Sequence, residues 1–378
     1  MSQQLGDGVR TAPSHAGETA RNVRLGVYLR HRVFRGRNLL WASLVLVPVD
    51  IAARLFGMGH VGLFLLSVLA LIPLAWIIGE ATEQIGEYTG PAIAGLLNAT
   101  FGNAPELIIS LFAVSGGLFD VVRGSLAGSV IGNLLLVLGC SLAAGGRGKL
   151  DRGTAYSTLS MVAVSIGLFA VATAASGSAS EPGAGVPPIT IVVAIALFAT
   201  YVAVTVRSVL QERRKQHEEG AEGTPEWSLP RGLVTLGLAT LATVAVSEVL
   251  TGSVEAFGEA AGLSDAFVAA IIVAIAGNAA EHGGAVVIAA RGNVLLASEI
   301  GLQSAAQVAT GLIPAVVLLS LAINPLPLVF SPVEFLGMAV ATLVPALLFI
   351  QGRSSRQRGI ALCVAYGAVV AAFYAMAG

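Results

Sequence analysis

Charge is scarce in this chain of 378 residues: 21 basic and 22 acidic residues make up 11% of it, against 55% hydrophobic residues. A soluble protein carries about 25% charged residues, so the composition excludes an ordinary soluble domain. Much of that charge is also sequestered, because residues 1–38 and 211–231 hold nine charges each and leave 25 for the other 319 positions. The formal net charge of −1 offers no basic surface for nucleic acid. Cysteine is nearly missing. Cys140 and Cys363, both in apolar runs, make neither a disulfide framework nor a metal-ligand spacing, and both are expected as small core residues. What the chain has in abundance is long apolar stretches, and about 20 such residues cross a bilayer.

The fold class expected is therefore an all-α polytopic membrane protein. Spans fall near 38–57, 60–84, 91–115, 120–144, 154–175 and 187–209, then 232–256, 264–290, 295–322, 328–350 and 357–377, eleven helices in all. Asp50 and Arg54 interrupt the first of them. Short cytoplasmic loops retain Lys and Arg, and a cytoplasmic N-terminus puts 19 of the 21 basic residues on that side, leaving only Arg54 and Arg123 opposite. The first 20 residues lack the apolar core of a secretory signal, so 1–37 reads as a basic cytoplasmic tail with weak attraction to anionic lipid. The segment 211–231 mixes acids with Arg213, Arg214 and Lys215 and reads as a solvated helix extension and loop.

The two halves repeat. A shift of 175 residues lays GNAPE at 102–106 on GNAAE at 277–281 and Glu80 on Glu255. Five helices separate the copies, so they stand upside down relative to each other in the membrane, an architecture common among secondary transporters, whose substrate site lies near the midplane at the repeat interface.

Within these repeats Glu106 and Glu281 fall about mid-span, where a carboxylate is costly and marks an ion or proton path. Gly102 and Pro105 in one copy, and Gly277 in the other, weaken the helical ladder beside it and release backbone carbonyls. Those carbonyls, the amides of Asn103 and Asn278 and the two carboxylates form an oxygen-rich cage of the kind a hard divalent cation such as Ca²⁺ prefers. Thiol and multiple imidazole ligands, which softer metals favour, are missing. The next helix of each half supplies neutral polar groups: Ser129, Gly132 and Asn133 in the first, Ser304 and Gln307 in the second. They either complete the coordination sphere or serve helix packing. His282 follows Glu281 where the first copy has Leu107, so the copies are inequivalent; the imidazole either carries protons or orients Glu281. Glu80, Glu83 and Glu255, on the helices preceding the motif helices, are candidate cavity-mouth acids that attract cations, and Glu299 is a relay or interfacial candidate. Glu248 is a further acid, and Asp50 and Glu334, without repeat partners, receive no role. An HExxH metalloprotease motif is absent.

The strings GLLNATFGNAPELIISLFA at 95–113 and FVAAIIVAIAGNAAEHGGAV at 267–286 resemble the paired signature of the cation/proton exchanger family, the Ca²⁺/H⁺ antiporters of the Ca²⁺/cation antiporter superfamily. The likeness extends to 79–90, 128–139, 247–257 and 301–309. It implies one extra N-terminal helix (38–57) and two inverted five-helix repeats (58–210 and 232–378) joined by the linker 211–231, with Ca²⁺ held between the motif helices. It also implies that Glu106 and Glu281 alternate between metal and protons, with no organic cofactor. The chain departs from the pattern at Gly132, at Gln303, Ser304 and Ala305, and in its mixed-charge linker. Two carboxylates in one dehydrated site repel, so the metal-free site is expected to hold a proton that Ca²⁺ displaces. Alternating access would then export Ca²⁺ from the cytoplasm, in a membrane that the compact loops suggest is prokaryotic. A Na⁺/Ca²⁺ exchanger, a passive cation channel and an intramembrane enzyme are the competing readings; the last lacks a recognisable nucleophile and base.

Overall fold

The computed structural model describes residues 38–90, 100–176, 186–219 and 226–377 and the single positions 93 and 97, the side chains of 211–219, Ala280 and Ala377 excepted. The tail 1–37, most of the loop 176–186, most of 91–99 and part of the linker lie outside the described residues. The chain divides into two units after Leu44, and residues 38–43 of the first are helical.

The second unit is built from helices: α1 Leu46–Leu55, α2 His60–Thr89, α3 Ala104–Ser115, α4 Phe119–Ile131, α5 Leu138–Gly145, α6 Arg152–Ser176, α7 Pro188–Glu219, α8 Leu229–Thr251 and α9 Val254–Ala261. They continue with α10 Asp265–Val268, α11 Ala274–Gly277, α12 Ala279–Ala290, α13 Val294–Gln307, α14 Ile313–Ser320, α15 Pro332–Leu348 and α16 Arg356–Ala377. Single π-helical stretches, Gly132–Val137, Ala269–Val273 and Val308–Leu312, join α4 to α5, α10 to α11 and α13 to α14. Among the described residues nine segments are long and apolar enough to cross a membrane, or ten if Val254–Ala261 and Asp265–Gly277, bent by 107°, count as one. The short apolar α3 stands where the third span was expected.

One boundary departs from the sequence reading, and one expected weak point becomes a break. The span expected at 232–256 ends at Thr251, so Glu255 sits on the separate short helix α9, whereas its repeat mate Glu80 lies inside the unbroken α2. Gly252 closes α8, and the hydroxyls of Thr251 and Ser253 donate to the carbonyls of Ser247 and Val249, drawing off the end of the ladder. The span expected at 264–290 is interrupted at Asn278.

Contacts between loops fix which helix ends share a side. The two-residue strands β1 (Gly148–Lys149) and β2 (Arg353–Ser354) pair antiparallel, Gly148 opposite Ser354. Tyr88 at the end of α2 donates to the Trp227 carbonyl ahead of α8, and Asn324 donates to Val114 at the end of α3. All three agree with the alternation of helix direction that the basic loops imply.

The repeat partners α2 and α8 share the most extensive helix contact in the unit. Elsewhere backbones nearly touch: a Cβ on Gly128 would lie 2.0 Å from the Ala270 carbonyl oxygen, and one on Gly359 would lie 2.3 Å from the Ala143 nitrogen. With no hydrophobic force between helices in lipid, such small-residue approaches carry the association. Cys140 and Cys363 are free thiols, 223 residues apart in sequence, whose Sγ atoms come within 3.9 Å where α5 packs on α16.

Candidate functional site

The backbone repeats itself at the two motifs. Asn103 and Asn278 both leave helical geometry, at φ −99°, ψ 12° and φ −93°, ψ 6°, and each becomes the residue from which a new helix starts. Glu106 and Glu281 therefore occupy the same place in the first turn of α3 and of α12. The amino end of a helix carries partial positive charge, which favours an anion there. A second repeated feature lies on the following helices. The shift of 175 carries the π-helical stretch Gly132–Val137, which contains Asn133, onto Val308–Leu312, which follows Gln307, within one residue. π-turns of this kind frequently mark functional positions.

Side chains from the two halves meet around these breaks. Glu106, 1% exposed, packs across the repeat interface against Gly277, where a Cβ would lie 3.1 Å from its Cγ and 3.3 Å from its Oε1. Only a residue without a side chain lets the carboxylate approach that backbone. Gly277 also lies four residues before Glu281, across the break at Asn278, and the two carboxylates repel each other when both are charged. Asn103 Nδ2 donates to Gln307 Oε1 at 3.3 Å, and Asn278 Nδ2 donates to Ser129 Oγ at 3.0 Å, so each motif amide bonds to the opposite half. Asn133 Nδ2 donates to Ser304 Oγ at 2.9 Å, and the Ser304 hydroxyl hydrogen-bonds Glu281.

The acceptors left over are as telling as the bonds made. Both carboxylate oxygens of Glu106, Glu281 Oε2, Asn103 Oδ1 and Asn133 Oδ1 are buried without a hydrogen-bond partner among the described residues. An unmade buried bond costs about 1–3 kcal/mol, more for a charged group, so five such oxygens on four neighbouring residues would cost several kcal/mol if nothing filled the space among them. His282 Nε2 is also unpartnered among the described residues, and its ring faces Gly132, its Cε1 4.0 Å from the place of a Cβ there. Among the described residues no cluster of three or more His, Cys, Asp or Glu stands ready for a metal.

The remaining sequence candidates scatter. Gly102 is half-buried in the turn before Asn103. Glu80 and Glu299 are half-buried, and Glu83 and Glu255 are exposed, on α2, α13, α2 and α9. Glu334, without a role in the sequence reading, is the far half of a capping box: its Oε2 accepts from the Ser331 amide at 2.6 Å and its amide donates to Ser331 Oγ. The Ser-Pro-Val-Glu string carried that signal in plain view. Asp50 is fully buried and Glu248 pairs with Arg54 at 2.8 Å, neither legible from local sequence.

A family model described as sodium/calcium exchanger protein matches residues 59–210 and 231–375. The chain belongs to this exchanger family. Over 338 residues it is 35% identical to the Ca²⁺/H⁺ antiporter ChaA of Bacillus subtilis, covering 87% of this chain and 96% of the relative. It is equally 35% identical over 351 residues to vacuolar cation/proton exchanger 1a of Oryza sativa subsp. japonica, covering 87% and 78%. The solved structure of native YfkE superposes with a TM-score of 0.76 at 31% identity, over 89% of this chain and all of that one. The chain is thus an integral membrane protein of a transporter family with the exchanger fold.

Proposed function

We propose that the chain exchanges Ca²⁺ for H⁺ by alternating access, with Glu106 and Glu281 as the carboxylates that hold either ion. The observation that carries this is the environment of Glu106: two buried, unpartnered oxygens against the bare backbone of Gly277, across from a second carboxylate. A charge at mid-membrane costs at least about 3 kcal/mol, so the pair is stable only when protonated or metal-filled. An empty, doubly ionised cage cannot cross between the two access states cheaply. That penalty makes exchange obligatory and leak slow.

In this reading Asn103, Asn278 and the carbonyls of Gly102 and Gly277 complete the Ca²⁺ shell, in keeping with the donors a hard divalent ion takes. Ser129, Asn133, Ser304 and Gln307 hold those ligands in register across the repeat interface, supported by their hydrogen bonds. His282 lines the same region, and Glu80, Glu83, Glu255 and Glu299 draw cations toward it. The names of the relatives, a Ca²⁺/H⁺ antiporter and a cation/proton exchanger, support the choice of ions. The two matched segments, 59–210 and 231–375, support a division into repeats 58–210 and 232–378 with the linker 211–231 between them. The basic loops support a cytoplasmic N-terminus and Ca²⁺ export, in a prokaryotic cytoplasmic membrane.

The test is Ca²⁺ uptake into proteoliposomes under an imposed pH gradient, with and without Na⁺. Uptake that requires the pH gradient, ignores Na⁺ and falls to background in Glu106→Gln and Glu281→Gln is expected. Uptake that follows a Na⁺ gradient would place the chain with Na⁺/Ca²⁺ exchangers, and undiminished uptake in either variant would overturn the assignment of the site.

A further inference from the structure

Another membrane-embedded carboxyl lies on α1, far in sequence from both motifs. Asp50 is 0% exposed. Its Oδ1 accepts from the Ser67 hydroxyl of α2 at 2.9 Å, and its Oδ2 has no hydrogen-bond partner among the described residues. Four residues on, one helical turn along the same face, Arg54 carries the cation that would ordinarily claim such a carboxylate. Instead Arg54 Nη2 reaches across to Glu248 Oε1 on α8, at 2.8 Å. The two bonds sit beside one apolar cluster of Ala53, Leu63 and Val249, so α1, α2 and α8 meet at this place.

We propose that Asp50 is a proton-binding site in its own right, protonated in this conformation, and that its ionisation competes with Glu248 for Arg54. A neutral carboxyl needs no cation and tolerates an apolar wall beside one oxygen, whereas an ionised one at zero exposure does not. When the O–H bond breaks, the proton passes to the aqueous buffer and the electron pair stays on the carboxylate. The nearest available countercharge is Arg54, one turn away, and taking it opens the tie between α1 and α8. The charged and polar groups bearing on Asp50 are Ser67 from α2 and Arg54 from its own helix, with Glu248 of α8 holding the Arg54 guanidinium. The arrangement is a latch: protonated, α1 is tied to α2 through Ser67 and to α8 through Arg54; ionised, it exchanges the second tie for an internal one.

Infrared spectroscopy of the full chain in lipid nanodiscs tests this directly, because a protonated carboxyl has its own C=O stretch. At neutral pH without Ca²⁺ the native spectrum should contain one such band that is absent in Asp50→Asn, a variant that keeps the acceptor for Ser67. In Ser67→Ala the same band should move to higher frequency, having lost its hydrogen bond, which supplies the assignment should Asp50→Asn not fold. Glu248→Gln, which frees Arg54, should abolish the band at a pH where the native chain retains it. A native spectrum unchanged in both Asp50→Asn and Ser67→Ala would overturn the proposal, and so would a band that survives Glu248→Gln. None of these variants touches the exchange cage, so the outcome is independent of the transport reading.

Discussion

Gly277 illustrates how little room the site leaves. A Cβ there meets Glu106 Cγ at 3.1 Å, tighter than ordinary contact, and the buried carboxylate has few directions in which to give way. Gly277→Ala should therefore cut Ca²⁺ uptake by at least about tenfold, the equivalent of 1.4 kcal/mol, while the detergent-solubilised protein melts within a few degrees of the native chain. Ser304 is the complementary case, since it takes a hydrogen bond from Asn133 and gives one to Glu281. A hydrogen bond to a charged group contributes about 1.5–3 kcal/mol, so Ser304→Ala should weaken half-saturation by Ca²⁺ roughly 10- to 100-fold, measured as uptake against Ca²⁺ concentration. A KM unchanged in that variant would remove Ser304 from any part in holding Glu281.

At the scale of the element, a helix start outside the membrane offers a pH-dependent test. Asp151, ahead of α6, accepts from the Gly153 amide at 2.9 Å and from Thr154 Oγ1 at 2.7 Å. These bonds hold its carboxyl below the ordinary aspartate range. A group whose folded value is depressed contributes stability above its unfolded value and loses it as pH falls. Asp151→Ala should thus lower the melting temperature at neutral pH, with the difference shrinking below about pH 3.9. The breaks at Asn103 and Asn278 were anticipated from Gly102, Pro105 and Gly277. By contrast, the π-turns at Asn133 and after Gln307 had no sequence signal, because an i→i+5 turn is selected by what packs around it. The early end of α8 at Thr251 was also missed: Thr251 and Ser253 compete for the backbone through their side chains, while hydropathy runs on unbroken.

At the scale of the whole molecule, sidedness follows from the pairing of β1 with β2. In a background free of Cys140 and Cys363, single cysteines replacing Lys149 and Arg353 should react with an impermeant maleimide from the same face of sealed vesicles, and one replacing Asp120 from the opposite face. Labelling of the first two from different faces would break the proposed alternation of helices. The paired motifs, the spans and the family were readable because composition and an internal repeat are local or periodic signals. The meeting of Cys140 with Cys363, and of Arg54 with Glu248 at a separation of 194 residues, were not, since a single sequence holds no record of contacts between distant helices.

The backbone contacts at Gly128 and Gly359 also bear on heredity. Any single-nucleotide missense change in a glycine codon adds at least one carbon atom, and at these positions that atom would land 2.0 Å from the Ala270 carbonyl oxygen or 2.3 Å from the Ala143 nitrogen. In a saturation library selected for tolerance of high external Ca²⁺, these two codons should therefore survive only through synonymous change, although neither residue touches an ion.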